Sequence, residues 1–331
     1  MKKVTLEIPF EVVGTGFYVP EQIVTNADIE REHHVSASWI EQVSGIKERR
    51  IARKDQACSD IALPACLSAI ADAGVSAQDL DLIILTSMGP DYASPPTSCV
   101  LQGALGATNA AAFDLDCACL GFPWALYVAA NLTRTGKFNT VLIVSSELGS
   151  RCANYKDPNS FILLGDGAGA AIIRRAESDT GILASYFRAD GTKWNVASIQ
   201  AWGSRYSRLA PDEIDDHGFS MEGRQIYKFA TRAIPEAIAA AIRQAGIGNE
   251  DLSLVIAHQA NKRILQSAIN RNNIPENKYF INIDRFGNTG SATIPLALAD
   301  ARAQGKIRSG DKVVLVGFGA GLSWGSVLLQ F

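Results

Sequence analysis

Two stretches decide how this chain folds: Ala73-Gly74-Val75…Asp79-Leu80…Leu82-Ile83-Ile84, and its echo Ala245-Gly246-Ile247…Asp251-Leu252…Leu254-Val255-Ile256. The same spacing that carries Ala73 onto Ala245 also carries Pro123, Ala125 and Leu126 onto Pro295, Ala297 and Leu298. It carries Val141-Leu-Ile-Val144 onto Val313-Val-Leu-Val316 as well. One constant offset over so long a span marks an internal duplication, although each short apolar match means little alone. Within a copy, a helical run stops at a glycine and a buried strand follows. Working outward, strands are expected over 12–18, 80–86 and 140–145, and helices over 28–44 and 59–73. Strands alternating with helices imply an α/β protein. The chain therefore divides into two pseudo-symmetric halves, 1–178 and 179–331, with the seam near 175–185. Sites in such sheets lie beyond the carboxyl ends of the strands.

The bulk properties fit a globular chain of this design. Of 331 residues, 47% are hydrophobic and 20% charged, which supplies ample core. A net charge of −3 argues against nucleic acid as the main partner. Met-Lys-Lys-Val-Thr-Leu-Glu-Ile-Pro at the start is broken by glutamate and proline and does not read as a signal peptide. No stretch approaches the ~18 uncharged apolar residues of a membrane span. Cysteines 58, 66, 99, 117, 119 and 152 show neither zinc-site nor disulfide-framework spacing, so a reducing cytoplasm is the expected setting.

Chemistry concentrates in Phe113-Asp-Leu-Asp-Cys-Ala-Cys-Leu-Gly-Phe-Pro-Trp124. A strand is expected to end near Asp116, and a nearly all-apolar helix to run over 120–130. Pro123 belongs in that helix's first turn, which places Cys119 nearer the N-terminus than Cys117. Unpaired N–H groups and the positive end of the helix dipole favour a thiolate there. The same stretch is equally compatible with two small packed thiols. The duplication maps Cys119 onto Ser291, within Arg285-Phe-Gly-Asn288-Thr-Gly-Ser-Ala292. The second-copy strand ends at His258-Gln-Ala-Asn261, whereas His33, His34 and His217 lie in polar surroundings. Taken together, a cysteine, a histidine and an asparagine at comparable strand ends suit nucleophilic catalysis. Gly165-Asp-Gly-Ala-Gly169 leads into a strand rather than opening a helix, so it makes a poor dinucleotide fingerprint. Gly317-Phe-Gly-Ala-Gly-Leu-Ser-Trp-Gly325 fits either a close approach to substrate or a plain tight turn.

The motifs Asp-Cys-Ala-Cys119-Leu-Gly-Phe, Gly-Asp-Gly-Ala-Gly169, His258-Gln-Ala-Asn261, Phe-Gly-Asn288-Thr and Phe318-Gly-Ala-Gly-Leu-Ser-Trp-Gly resemble those of β-ketoacyl-acyl-carrier-protein synthase III. The resemblance runs end to end and keeps the motif order. It implies a duplicated, five-layered αβαβα thiolase-like fold and a homodimer. It further implies that Cys119 takes an acyl group from a thioester. His258 and Asn288 would then stabilise the enolate left when a malonyl thioester loses carbon dioxide, and that carbanion would attack the acyl-cysteine. The backbone N–H groups of Cys119 and Ala320 would form the oxyanion site, and Phe318 would gate it against water. Asparagine as the third member resembles the initiating branch of condensing enzymes.

For substrate, the resemblance places Trp39, Arg224, Asn261 and Ser94 in the binding set, and Lys228, Arg263 and Arg271 in the docking patch for acyl carrier protein. No cofactor is implied beyond coenzyme A or carrier-protein thioesters as substrates. Val43 and Pro158 stand where the family has arginines beside the coenzyme A adenine and phosphates, which should weaken coenzyme A binding. Ser94 stands where many members place a phenylalanine from the partner subunit against the acyl pocket. A primer bulkier than acetyl and a carrier-bound donor are therefore expected, in fatty acid or specialised-metabolite biosynthesis. Alternatives are a related acyltransferase or head-to-head condensing enzyme, a hydrolase, and a non-catalytic partner of an active synthase, against which the intact Cys119, His258 and Asn288 argue.

Overall fold

A computed structural model describes residues 6–176, 179–199, 203–204 and 218–331. His217 and the boundary residue Ser178 lie outside the described residues. Two five-stranded mixed sheets form the body. The first runs β2 (Glu11–Tyr18), β8 (Asp166–Arg174), β7 (Thr140–Leu148), β5 (Leu82–Thr86) and β6 (Ala111–Asp114). The second runs β1 (Ile8–Pro9), β9 (Gly181–Ala189), β14 (Ser323–Gln330), β13 (Lys312–Gly319) and β12 (Leu254–Ala257).

The duplication is visible in the register itself. Leu82 pairs with Val141 in parallel between β5 and β7, and their counterparts Leu254 and Val313 pair in parallel between β12 and β13. The two halves are not cleanly separated along the chain, because Ile8 and Pro9 hydrogen-bond to β9 in the second sheet. These central strands read as continuous apolar runs because both faces are covered. Helices α5 (Gly121–Arg134) and α10 (Thr293–Ala303) lie between the sheets, in one core with Phe122, Ile143, Leu298 and Leu315. Helices α3 (Cys58–Ala73) and α4 (Thr97–Leu105) cover the outside of the first sheet. Helices α7 (Gly223–Ala245) and α8 (Lys262–Asn272) cover the second. The result is five layers, helix–sheet–helix–sheet–helix.

A smaller unit caps one end: the β3 (Gln22–Thr25)–β4 (Glu48–Ile51) hairpin with helices α1 (Asn26–His33) and α2 (Ala37–Ser44). The single helix expected over 28–44 is thus two. His34 adopts φ 57°, closing α1, and Ser36 opens α2 by accepting the Trp39 N–H. The hairpin's Arg49 is 1% exposed and ties this cap to the body, donating to Asn26 Oδ1 (2.8 Å) and to the Ile162 carbonyl (2.7 Å). Short elements α6 (Pro158–Phe161), α9 (Ile283–Phe286) and the β10 (Ala197–Ile199)–β11 (Phe219–Met221) ribbon complete the wall facing the cap. The glycines of Gly165–Gly169 are explained by packing. A Cβ on Gly169 would lie 2.4 Å from the Leu296 backbone nitrogen, so β8 lies flush on α10 only without one.

Candidate active site

Cys119 sits in a short 3₁₀ turn, Ala118–Leu120, that leads directly into α5. The strand before it stops two residues sooner than expected, at Asp114. The Asp114 carboxylate turns away to cap α4, accepting the Thr97 and Ser98 N–H groups at 2.8 Å each. Ala118 is held at φ 46°, a rare conformation for a residue with a Cβ, while its N–H bonds to Asp116 Oδ1 at 2.8 Å. This strained elbow presses against β13: a Cβ on Gly319 would lie 2.9 Å from the Cys119 nitrogen. Here the glycine-rich run around Phe318 does serve a close approach, of one half's strand to the other half's nucleophile turn. The second copy repeats the device, with Ser291 in the 3₁₀ turn Gly290–Ala292 that opens α10.

His258 follows the last residue of β12 and is 2% exposed. Its Nδ1 lies 2.6 Å from Thr293 Oγ1 on α10, and the edge of its ring meets Phe318 with centroids 5.3 Å apart. Burial pushes its imidazole down to about 3, so it is neutral at physiological pH. Asn288 is 8% exposed and doubly fixed. Its backbone bridges to 163–165, donating to the Leu163 carbonyl (2.8 Å) and accepting from the Gly165 N–H (3.0 Å). Its side-chain Oδ1 accepts the Gly290 N–H at 3.0 Å, which leaves Nδ2 without an acceptor among the described residues.

These three residues line one cavity of about 330 Å³ together with Phe318 and Ala320. Among the described residues, no partner takes the backbone N–H of Ala320. The thiolate expected from the helix dipole is not the resting state. Burial pushes the Cys119 thiol up, the carboxylates of Glu147 and Asp116 add to this, and only its own backbone N–H opposes them. The dipole acts near α5, but desolvation outweighs it. The cavity thus holds a neutral thiol and a neutral imidazole.

The remaining expected residues separate. Trp39, Val43 and Arg263 border the cavity, as does Asn261. Yet the Asn261 amide is occupied within the protein: Nδ2 donates to the Val43 carbonyl (2.9 Å) and Oδ1 accepts the Arg263 N–H (2.8 Å). It fastens α2 to α8, and this fixes the mouth. Arg224 is exposed in the first turn of α7 and does not line the cavity, whereas its neighbours Gly223, Ile226 and Tyr227 do. Lys228 and Arg271 are exposed on α7 and α8. Arg271 lies in the last turn of α8, about 12 Å along the helix from Arg263. Ser94 is exposed on the loop before α4 and does not line this chain's own cavity. Pro158 is exposed at the start of α6. Cys117 is half-buried, 3.9 Å from Ser323 Oγ and outside the cavity. His33 stacks on Tyr155 and meets Phe161 at a tilt, away from the site.

Sequence reasoning missed Thr293, Ala118, Met88 and Glu147. Each acts through a contact distant in sequence or through a backbone angle, so no local motif signals it. Among the described residues no cluster of potential metal ligands occurs, and no helix is long and apolar enough to cross a membrane.

Two family models match the chain: 3-oxoacyl-[acyl-carrier-protein] synthase III over residues 113–191, and the C-terminal part of the same synthase over 242–331. The chain is 42% identical to the β-ketoacyl-[acyl-carrier-protein] synthase III of Caldanaerobacter subterraneus subsp. tengcongensis, over 97% of each chain. Its fold superposes with a TM-score of 0.91 on 3-oxoacyl-[acyl-carrier-protein] synthase III from Aquifex aeolicus VF5, at 36% identity, covering 98% of this chain and 100% of that one. It matches the priming β-ketosynthase of the R1128 polyketide pathway equally well, at TM-score 0.91 and 30% identity, covering 100% and 99%.

Proposed function

Because the chain belongs to the 3-oxoacyl-[acyl-carrier-protein] synthase III family, with its thiolase-like fold and its acyltransferase-type condensing activity, we propose that Cys119, His258 and Asn288 carry a decarboxylative condensation of two thioesters. The observation that supports this is their convergence on one cavity from both halves of the duplication. In the first half-reaction the Cys119 sulfur attacks an acyl thioester, its proton leaves with the departing thiol, and the acyl group remains on sulfur. In the second, a malonyl thioester releases carbon dioxide, and the resulting enolate attacks the acyl carbon. The tetrahedral adduct then expels the Cys119 sulfur. Two negative oxygens form in turn and need aimed donors. With Thr293 donating to Nδ1, His258 carries its hydrogen on Nε2 and offers it to the malonyl carbonyl beside the free Asn288 Nδ2. The N–H groups of Cys119 and Ala320 serve the acyl oxygen. Phe318 keeps water from the acyl-enzyme. Thioesters are the substrates, and this scheme draws on no resident cofactor.

The mouth favours a carrier-bound donor over coenzyme A. Trp39 offers a stacking face, but Val43 beside it and Pro158 on the neighbouring wall bring no charge to a phosphate. Exposed Arg224, Lys228 and Arg263 on α7 and α8 suit the acidic surface of an acyl carrier protein, with Arg271 extending the patch. The primer is bulkier than acetyl. Ser94 acts from a second subunit in a homodimer, for which β6 offers an edge strand with no outer partner among the described residues. The enzyme works in the cytoplasm. Acylation of Cys119, followed by intact mass over a chain-length series of coenzyme A and carrier-protein donors, tests the donor reading. A preference for longer carrier-bound acyl groups is expected, and a clear preference for acetyl-coenzyme A refutes it.

A further inference from the structure

Behind the catalytic cavity, the C-terminal end of β7 carries a carboxylate that the scheme above does not use. Glu147 is 1% exposed, and no cation pairs with it among the described residues. Donors from both halves of the duplication converge on it instead. Ser291 Oγ donates to Oε1 at 2.6 Å and the Ser291 N–H at 3.3 Å. From the first half, the Met88 N–H donates at 3.1 Å and Ser87 Oγ at 3.4 Å. Burial pushes this carboxyl up to about 7, and the Ser291 and Met88 bonds work against that rise.

Both anchored segments reach the cavity. Met88 lines its wall. Ser291 shares a turn with Gly290, whose N–H takes up the Asn288 Oδ1 and so turns Nδ2 toward the cavity. Gly290 is at φ 56° and packs on the Glu147 stem: a Cβ there would lie 3.0 Å from Cγ and 2.7 Å from Met88 Cε. No slack exists between the carboxylate and the turn.

Building on the condensing reading, we propose that Glu147 is a positioning residue for decarboxylation, holding the Gly290–Ser291 turn so that the Asn288 amide stays aimed at the developing enolate. Acylation of Cys119 needs no such aim, and removing a negative charge beside the thiol does not hinder it. The two half-reactions therefore separate. Glu147→Leu keeps the volume but removes every acceptor, whereas Glu147→Gln keeps an acceptor for Ser291.

The test measures, in the full-length enzyme, the rate of Cys119 acylation by intact mass and the single-turnover release of carbon dioxide from malonyl-acyl carrier protein by pre-acylated enzyme. Glu147→Leu is expected to acylate within about threefold of wild type and to release carbon dioxide at least tenfold more slowly, with Glu147→Gln restoring most of the loss. Ser291→Ala, which removes the shortest bond without touching the carboxylate, is expected to slow the same step alone. The proposal is overturned by wild-type carbon dioxide release in Glu147→Leu, by equal losses in both half-reactions, or by no rescue in Glu147→Gln. Should Glu147→Leu not fold, unimpaired carbon dioxide release by Ser291→Ala overturns it. Wild-type enzyme that acylates but releases no carbon dioxide overturns the condensing reading, and this positioning role with it.

Discussion

Cys119 and His258 line one cavity as neutral groups because burial opposes both charges, the thiolate and the imidazolium. Two consequences are measurable. Acylation should accelerate with rising pH, as the raised thiol ionises more readily, and should show no limb from His258 between pH 5 and 9. A rate limb near the ordinary histidine value of 6.5 that persists in Glu147→Gln contradicts this assignment. Stability follows the opposite signs of two buried groups. His258 is depressed, so its contribution is present above 6.5 and is lost as pH falls toward about 3. Glu147 is raised, so its contribution is present below 4.5 and is lost as pH rises through about 7. Urea unfolding from pH 4 to 8 should therefore show a shallower acid-side loss in His258→Asn and a shallower loss toward neutrality in Glu147→Gln. Asn288→Ala removes one aimed donor and should slow carbon dioxide release by about 10²–10³-fold, with acylation spared. At this scale the sequence displayed the three candidate residues: Cys119 leads into a helix, His258 follows a strand end, and Asn288 lies in the turn that the duplication maps onto the Cys119 stretch. Thr293 and Glu147 stayed hidden. A threonine at the start of an apolar helix and a glutamate at a strand end look ordinary until the partner 35 or 144 residues away is in place.

Helices α5 and α10 and their leading turns are the elements on which the site depends. Helix α5 was legible as an apolar run after a tight joint and α10 only as the counterpart that the duplication gives it, but the 3₁₀ turns Ala118–Leu120 and Gly290–Ala292 were not. Three-residue turns have no periodicity to read, and the positive φ of Ala118 has no local sequence cause. The helix broken at His34 was missed for a similar reason, since its break comes from one left-handed residue and a serine cap. Close approach to these turns is the sensitive point. Gly319→Ala would force a methyl group against the Cys119 backbone nitrogen. It should lower kcat for both half-reactions by tenfold or more, while costing about 1–3 kcal/mol of stability. Normal kinetics in that variant would mean that β13 does not set the position of the nucleophile turn. Chemical denaturation beside half-reaction kinetics separates the two effects.

Across the whole molecule, the duplication explains why a site of three residues draws on both halves: equivalent strand ends meet around α5 and α10, and one copy supplies the thiol while the other supplies the donors. The two α/β halves were legible in the repeat and the five layers only through the family resemblance, whereas the crossing of Ile8–Pro9 into the second sheet was not legible, because a two-residue strand carries no pattern. The edge of β6, which has no outer partner among the described residues, predicts assembly. The Ala111 and Leu115 N–H groups are used inward, toward Asp81 and Leu85, so the alternating Ala112 N–H points outward. Sedimentation should give twice the 35.5 kDa chain mass, and Ala112→Pro should shift the protein toward monomer without disturbing β5 pairing. Whether Cys119, His258 and Asn288 together carry a decarboxylative condensation can be read in a single turnover. Pre-acylated enzyme is mixed with carboxyl-labelled malonyl-acyl carrier protein, and the modified peptide and the released label are followed together. The expected result is an acyl group on Cys119 that disappears as one carbon dioxide is released for each acyl group consumed. An acyl group on another residue, or one lost from Cys119 without release of the label, would contradict it.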